Sequence, residues 1–187
     1  MKRILIGGLL GGIIVFAWGA VSHMVLPIGT IGIKTLPNEA AVVGAMKNAI
    51  PEPGFYFFPG MDMSGKATPE EEKAWQARYA QGPTGILVYH PQGEQPLSPK
   101  LLGIELLSNI LAALIAAILL ARTSGSFVAR VLCVALLGLF AWMSLSVSYW
   151  NWYGFPESFI AAEAIDQVVG WLFGGLALAA IVNPASR

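Results

Sequence analysis

Six polar side chains set into otherwise apolar sequence carry most of the chemistry open to this chain: His23, Glu105, Asn109, Glu163, Asp166 and Gln167. Glu163, Asp166 and Gln167 stand at i, i+3 and i+4, so on a helix they share one face. Glu105 and Asn109, four apart, do the same. One imidazole beside two or three carboxylates can serve in three ways. The groups can satisfy one another and lock helices together. They can take a small ligand, a lipid headgroup or a proton. Alternatively His23, Glu105, Glu163 and Asp166 can ligate zinc or manganese, ions that accept nitrogen and oxygen donors. No HExxH or ExxH spacing accompanies that last possibility, and the cofactor, if there is one, stays unknown at this level.

Other chemical signatures are missing. There is no GxxxxGK[ST], no GxSxG and no dinucleotide fingerprint. "GGLLGG", Gly7 to Gly12, lies inside an apolar run and reads as a helix-packing face rather than a phosphate loop. Cys133 is the only cysteine, so no internal disulfide or CxxC site exists, and its apolar surroundings suit an inert core thiol. His90, the second histidine, precedes Pro91 in an expected strand, a poor setting for a haem ligand. The 11 basic and 11 acidic residues balance, which leaves no basic surface for nucleic acid.

The elements that must position the six residues follow from hydropathy. Only 12% of the 187 residues are charged and 56% are hydrophobic. A soluble domain carries about a quarter charged residues, and the mean hydropathy here is +0.64, so the chain reads as a membrane protein. About 20 apolar residues cross a bilayer as a helix. Four segments qualify: one within residues 1–26, a second over 101–121, a third from Phe127 to Ser148 or Trp150, and a fourth from Phe159 to about Asn183. The expected fold is an all-α membrane bundle of four transmembrane helices, with a small extracytoplasmic α+β cap at 27–100 between the first two. The first segment resembles a secretory signal at "MKRILIGG", but its run exceeds a 7–15 residue signal core, and Ala17–Gly19 is a poor cleavage site. A retained anchor is expected.

Lys2, Arg3, Arg122, Arg130 and Arg187 all fall on one side if both termini are cytoplasmic, whereas the short loop after the third span has no Lys or Arg. That places residues 27–100 outside the cytoplasmic (inner) membrane. Arg130, one turn into its span, is expected to snorkel back to the interface. His23, Glu105 and the Glu163 group then fall at similar depth in the outer leaflet. Small residues mark the packing faces: Gly170 and Gly174 continue the Glu163/Asp166 stripe, and Gly8, Gly12 and Gly19 run in line with His23. These stripes are expected to join the first and fourth spans and bring His23 toward the two carboxylates.

In the cap, Asn38 is the expected N-cap of a helix ending before Pro51. Thr68 and Pro69 open a second helix with three glutamates in its first turn, and strands are expected at Gly54–Gly60 and Gly85–Pro91. Tyr149, Trp150, Trp152, Tyr153 and Phe155 form an aromatic belt where the third helix leaves the bilayer, and they are the candidate interface to lipid or to a partner. With no complete catalytic constellation, the leading expectation is a non-enzymatic accessory, assembly or scaffold protein, partnered by the bilayer and by another membrane protein or a second copy. The alternative is a metal-, lipid- or small-ligand-binding protein using the polar site. A transporter subunit that gains a path on oligomerising is a third reading.

Overall fold

The computed structural model describes residues 1–62 and 64–183. Along the chain run α1 (Lys2–Met24), α2 (Glu39–Ala49), β1 (Gly54–Phe58), α3 (Pro69–Gln81), β2 (Gly85–Tyr89), α4 (Pro99–Leu120), α5 (Phe127–Ala141), α6 (Val147–Tyr153) and α7 (Glu157–Ile181). A 3-10 turn follows α1 at Pro27–Thr30, and a π-helical turn, Trp142–Ser146, joins α5 to α6. Two compact units result: a helical unit of Met1–Ile33 with the chain from Leu97 onward, and a smaller unit of Lys34–Pro96.

Four helices are long and apolar enough to cross a membrane: α1, α4, the compound helix Phe127–Tyr153, and α7. The chain is an integral membrane protein by this measure. Within the helical unit α1 lies against α4 and α7, and α7 also lies against α5. All four converge near the N-terminus of α1 on a core of Ala116, Ala117, Leu120, Val131, Val134, Leu178, Ala179 and Val182, against which Ile4 packs. Lipid is as apolar as leucine, so close van der Waals contact rather than escape from water holds such helices together.

The glycine doublets of α1 supply that contact in a way the sequence reading assigned incorrectly. A Cβ on Gly7 would crowd Val182 and one on Gly11 would crowd Leu178, both at the end of α7. One on Gly8 or Gly12 would overlap Leu114 or Ile110 of α4. Neighbouring helical residues point about 100° apart, so each doublet serves two partners. The Gly8/Gly12 stripe therefore faces α4, and Gly19 meets nothing within 4 Å. From the other side Gly170 seats Trp18 and Gly174 seats Val15.

Arg130, one turn into its span, is buried, and its guanidinium donates to the carbonyls of Ala179 (3.2 Å) and Val182 (2.7 Å). The last carbonyls of α7 have no intrahelical donors, so a cation there closes the helix and opposes its dipole. Arg3 donates to the Asn183 side chain at the same end. Arg187, used in the orientation argument, lies outside the described residues. The third spanning helix runs on to Tyr153, so the aromatic belt occupies its last turns and the loop is only residues 154–156.

The smaller unit pairs β1 and β2 antiparallel, with Phe55 opposite Val88 and Phe57 opposite Ile86. Thr68 and Glu71 form a reciprocal capping box on α3 with Pro69 in the first turn, as the sequence pattern implies. α3 is fastened to the strand end by Trp75 Nε1, which donates to Pro59 O at 3.0 Å. Asn38 is not a side-chain cap: it sits in the left-handed region at φ 51° and makes no capping hydrogen bond. Asp62 accepts from the Ser64 backbone N–H and hydroxyl, each at 2.8 Å, and these two donors hold its carboxyl below the ordinary aspartate pKa.

Candidate functional site: a polar cavity between α1, α4 and α7

Asp166 is the centre of the site. Ser22 Oγ donates to its Oδ1 at 2.5 Å, and His23 Nε2 lies 3.2 Å from its Oδ2. Trp18 Nε1 donates to the backbone carbonyl of the same residue at 3.1 Å. Three side chains of α1, spaced over little more than one turn, thus grip one residue of α7. The α1–α7 contact through Val15, Trp18, Gly170 and Gly174 brings the two helices to that distance. Ser22 is completely buried, the His23 side chain is about half exposed, and that of Asp166 is mostly covered.

The 3-10 turn closes over this grip. Pro27 starts it without an unused N–H. Gly29 lies so close to the His23 ring that any side chain there would overlap it. Gly32, at φ +82°, lies against Phe159 of α7, where a Cβ would also clash. The turn therefore spans from the imidazole to the start of α7.

Beside the grip lies a cavity of about 460 Å³. From α1 it is lined by Val15, Phe16, Trp18 and His23, from α4 by Leu102, Glu105 and Asn109, and from α7 by Glu163, Asp166, Gln167 and Trp171. All six polar residues singled out in the sequence thus border one space. Asn109 Nδ2 donates to Glu105 Oε1 at 2.9 Å, so the α4 pair is joined within its own helix. Glu163 also lines two smaller cavities, one beside the 3-10 turn and one facing the π-helical turn. In the latter, Trp142 Nε1 donates to Ile160 O at 2.8 Å. The π turn adds a residue to the helix and re-aims Trp142 and Ser146 toward α7, a device frequent at functional sites.

The arrangement limits the chemistry. Serine, histidine and aspartate meet here, but not as a nucleophilic triad. In a triad the imidazole bridges hydroxyl and carboxylate, whereas here hydroxyl and imidazole each reach the carboxylate. The Ser22 hydroxyl is fully buried and does not border the cavity, so it has no access to a substrate. The metal set expected from His23, Glu105, Glu163 and Asp166 does not assemble: among the described residues no three of His, Cys, Asp and Glu are grouped to hold an ion. The reason is geometric, since Glu105 is held by Asn109 and His23 by Asp166. What remains is a ligand-sized space with polar groups on three helices.

The aromatic belt is separate from this cavity. Tyr149 stacks on Phe155 with centroids 5.5 Å apart, and Phe155 continues to Phe159 at 5.5 Å. Gly154, at φ +70°, ends α6 in the left-handed conformation and lets the chain turn there. Trp150 and Trp152 point outward, with Trp152 71% exposed. Ser22 and Trp18 are the site residues that sequence reasoning missed. Their signal is the stripe Val15–Trp18–Ser22, at steps of three and four, which faces the Gly170/Gly174 stripe.

No protein-family model, no curated protein and no solved structure matches this chain.

Proposed function

We propose that this is a ligand-binding protein of the cytoplasmic membrane whose site is the cavity between α1, α4 and α7. Both termini face the cytoplasm, and residues 27–100 lie outside. The observation that carries the reading is the cavity itself: about 460 Å³, of the size small-ligand sites have, with its polar groups drawn from three helices. Ionisable side chains are costly in a membrane span and are retained where they pair or face a cavity. Asp166 is accounted for by pairing, but among the described residues Glu105 and Glu163 make no ion pair. With the outside assignment of the cap, these groups lie in the outer half of the bilayer, within reach of that leaflet.

Native mass spectrometry of the chain extracted gently from its own membrane tests this. One defined small molecule per chain is expected, absent from Gly19→Leu. Gly19 borders the cavity, and its added side chain meets no protein atom near the backbone, so the substitution fills the space without disturbing the helices. Identical adducts on wild type and Gly19→Leu would sink the reading.

An accessory or assembly role is favoured by one other feature. Phe55 and Val88, paired across the two strands, are 58% and 61% exposed on the smaller unit. An apolar pair on a short sheet suits a protein partner. A second polypeptide co-extracted at fixed ratio, and released by Val88→Lys, is the outcome that reading predicts.

A further inference from the structure

Resting on the cavity as a binding site, we infer that its ligand is a cationic amphiphile: an ammonium headgroup on an apolar chain. The lining sorts ligands by charge. It contains Glu105, Glu163, Asp166 and His23, and no lysine or arginine. A phosphate or carboxylate headgroup would meet carboxyl groups on two helices and no fixed cation to balance its charge, which disfavours it in a medium of low dielectric.

The unsatisfied acceptors sit where a cation would need them. Asp166 already accepts from Ser22 and faces His23. Among the described residues none donates a hydrogen bond to Glu163, and Glu105 receives one only on Oε1, from Asn109. A carboxylate in a membrane span without a donor is a standing cost, which an ammonium ion removes. The Gln167 amide oxygen adds a neutral acceptor on the same α7 face. Two indoles, Trp18 and Trp171, also border the space, and ammonium groups bind to indole faces more strongly than to other aromatics.

The rest of the wall fits a chain. Val15, Phe16, Met24, Leu97 and Leu102 are apolar, and Leu97 and Leu102 are exposed at the edge of the helical unit. A charged head held among Glu105, Glu163 and the indoles thus leaves its tail against leucine and lipid. A free divalent cation fits less well, because among the described residues no three ligating groups are clustered.

The test uses the full chain in neutral maltoside micelles. Four probes are titrated: dodecylamine, a two-chain trimethylammonium lipid, dodecylphosphocholine and dodecyl phosphate. Site occupancy is the bound fraction that Gly19→Leu abolishes, since this variant keeps every carboxylate and so separates cavity binding from surface ion pairing. Support is a site affinity for at least one cation about tenfold above that for dodecyl phosphate, falling severalfold in Glu163→Gln. Glu105→Gln, on the exposed wall, gives the same readout if Glu163→Gln folds poorly. Dodecylamine binding indicates a free amphiphile, whereas binding of the two-chain cation alone indicates a membrane lipid. Equal or tighter site binding of the phosphate or zwitterion overturns the cation inference and leaves the cavity a binding site. No Gly19→Leu-sensitive binding by any probe overturns both.

Discussion

At the scale of single residues, Asp166 shows why burial and not charge alone decides which contact matters. His23 and Ser22 reach its two carboxylate oxygens, yet the imidazole is half exposed and the hydroxyl is fully enclosed. Ser22→Ala removes a donor that no solvent replaces, so it should lower stability by about 1–2 kcal/mol. His23→Gln leaves its oxygen access to other donors and should cost under about 1 kcal/mol. Reversible unfolding in micelles ranks the two, and a larger effect from His23→Gln would contradict the assignment. A second residue-scale expectation concerns Asp62, outside the spans. Its two Ser64 donors depress its folded pKa, so its contribution is present above the unfolded value of about 3.9 and is lost as pH falls through the lower folded value. A carboxyl NMR titration should give a midpoint below the ordinary one, returning toward it in Ser64→Ala. The charged members of the site were readable from the sequence because ionisable residues stand out in apolar runs. Ser22 and Trp18 did not stand out, being neutral residues that such runs tolerate. Their role depends on which helix lies opposite.

At the scale of elements, α1 is the shared wall of the helical unit. Gly12 faces the Ile110 backbone of α4, whereas Gly19 faces open space. Gly12→Leu should therefore force α1 and α4 apart and cost about 1–3 kcal/mol or more. Gly19→Leu should be neutral or stabilising by up to about 1 kcal/mol, since it only removes glycine's entropy in the unfolded chain. Thermal unfolding of the two variants side by side checks this, and equal losses would mean the α1–α4 contact is misplaced. The sequence pattern located these helices and the Thr68 cap of α3 because periodicity, proline and cap chemistry are local signals. It assigned the Gly8/Gly12 stripe to the wrong neighbour because a stripe of small residues states a close approach and not its partner. The π turn at Trp142–Ser146 left no trace in "WMSLS", since one extra residue in a helical turn changes register without changing composition. Arg130 was read from its distance to the span end, which does not name its partners, the carbonyls at the end of α7.

For the whole molecule, the two units imply different measurements. The N-terminus of α1, the turn between α4 and α5 and the end of α7 gather at one end of the helical unit, as the Ile4, Leu120, Val131 and Val182 contacts require. Cysteines placed singly at Lys2 and Ser124 should thus react with a membrane-impermeant thiol reagent only in inverted vesicles. One at Lys66 should react in right-side-out cells, with Cys133 replaced by serine throughout. Labelling of position 66 from the same side as positions 2 and 124 would break the proposed orientation.

The grip of α1 on Asp166 also has a consequence in time. Trp18, Ser22 and His23 leave the ribosome well over a hundred residues before their partner does. At translation speeds of about 5–20 residues per second, α1 waits on the order of ten seconds or longer without α7, though α4 is made in the interval. Until then its serine and histidine lack the carboxylate they meet in the finished fold. α7, the last described helix to be made, both completes the cavity and ends the exposure. A nascent chain arrested before Asp166 is then the species a quality-control protease should recognise, by the same three side chains that later disappear into the finished fold.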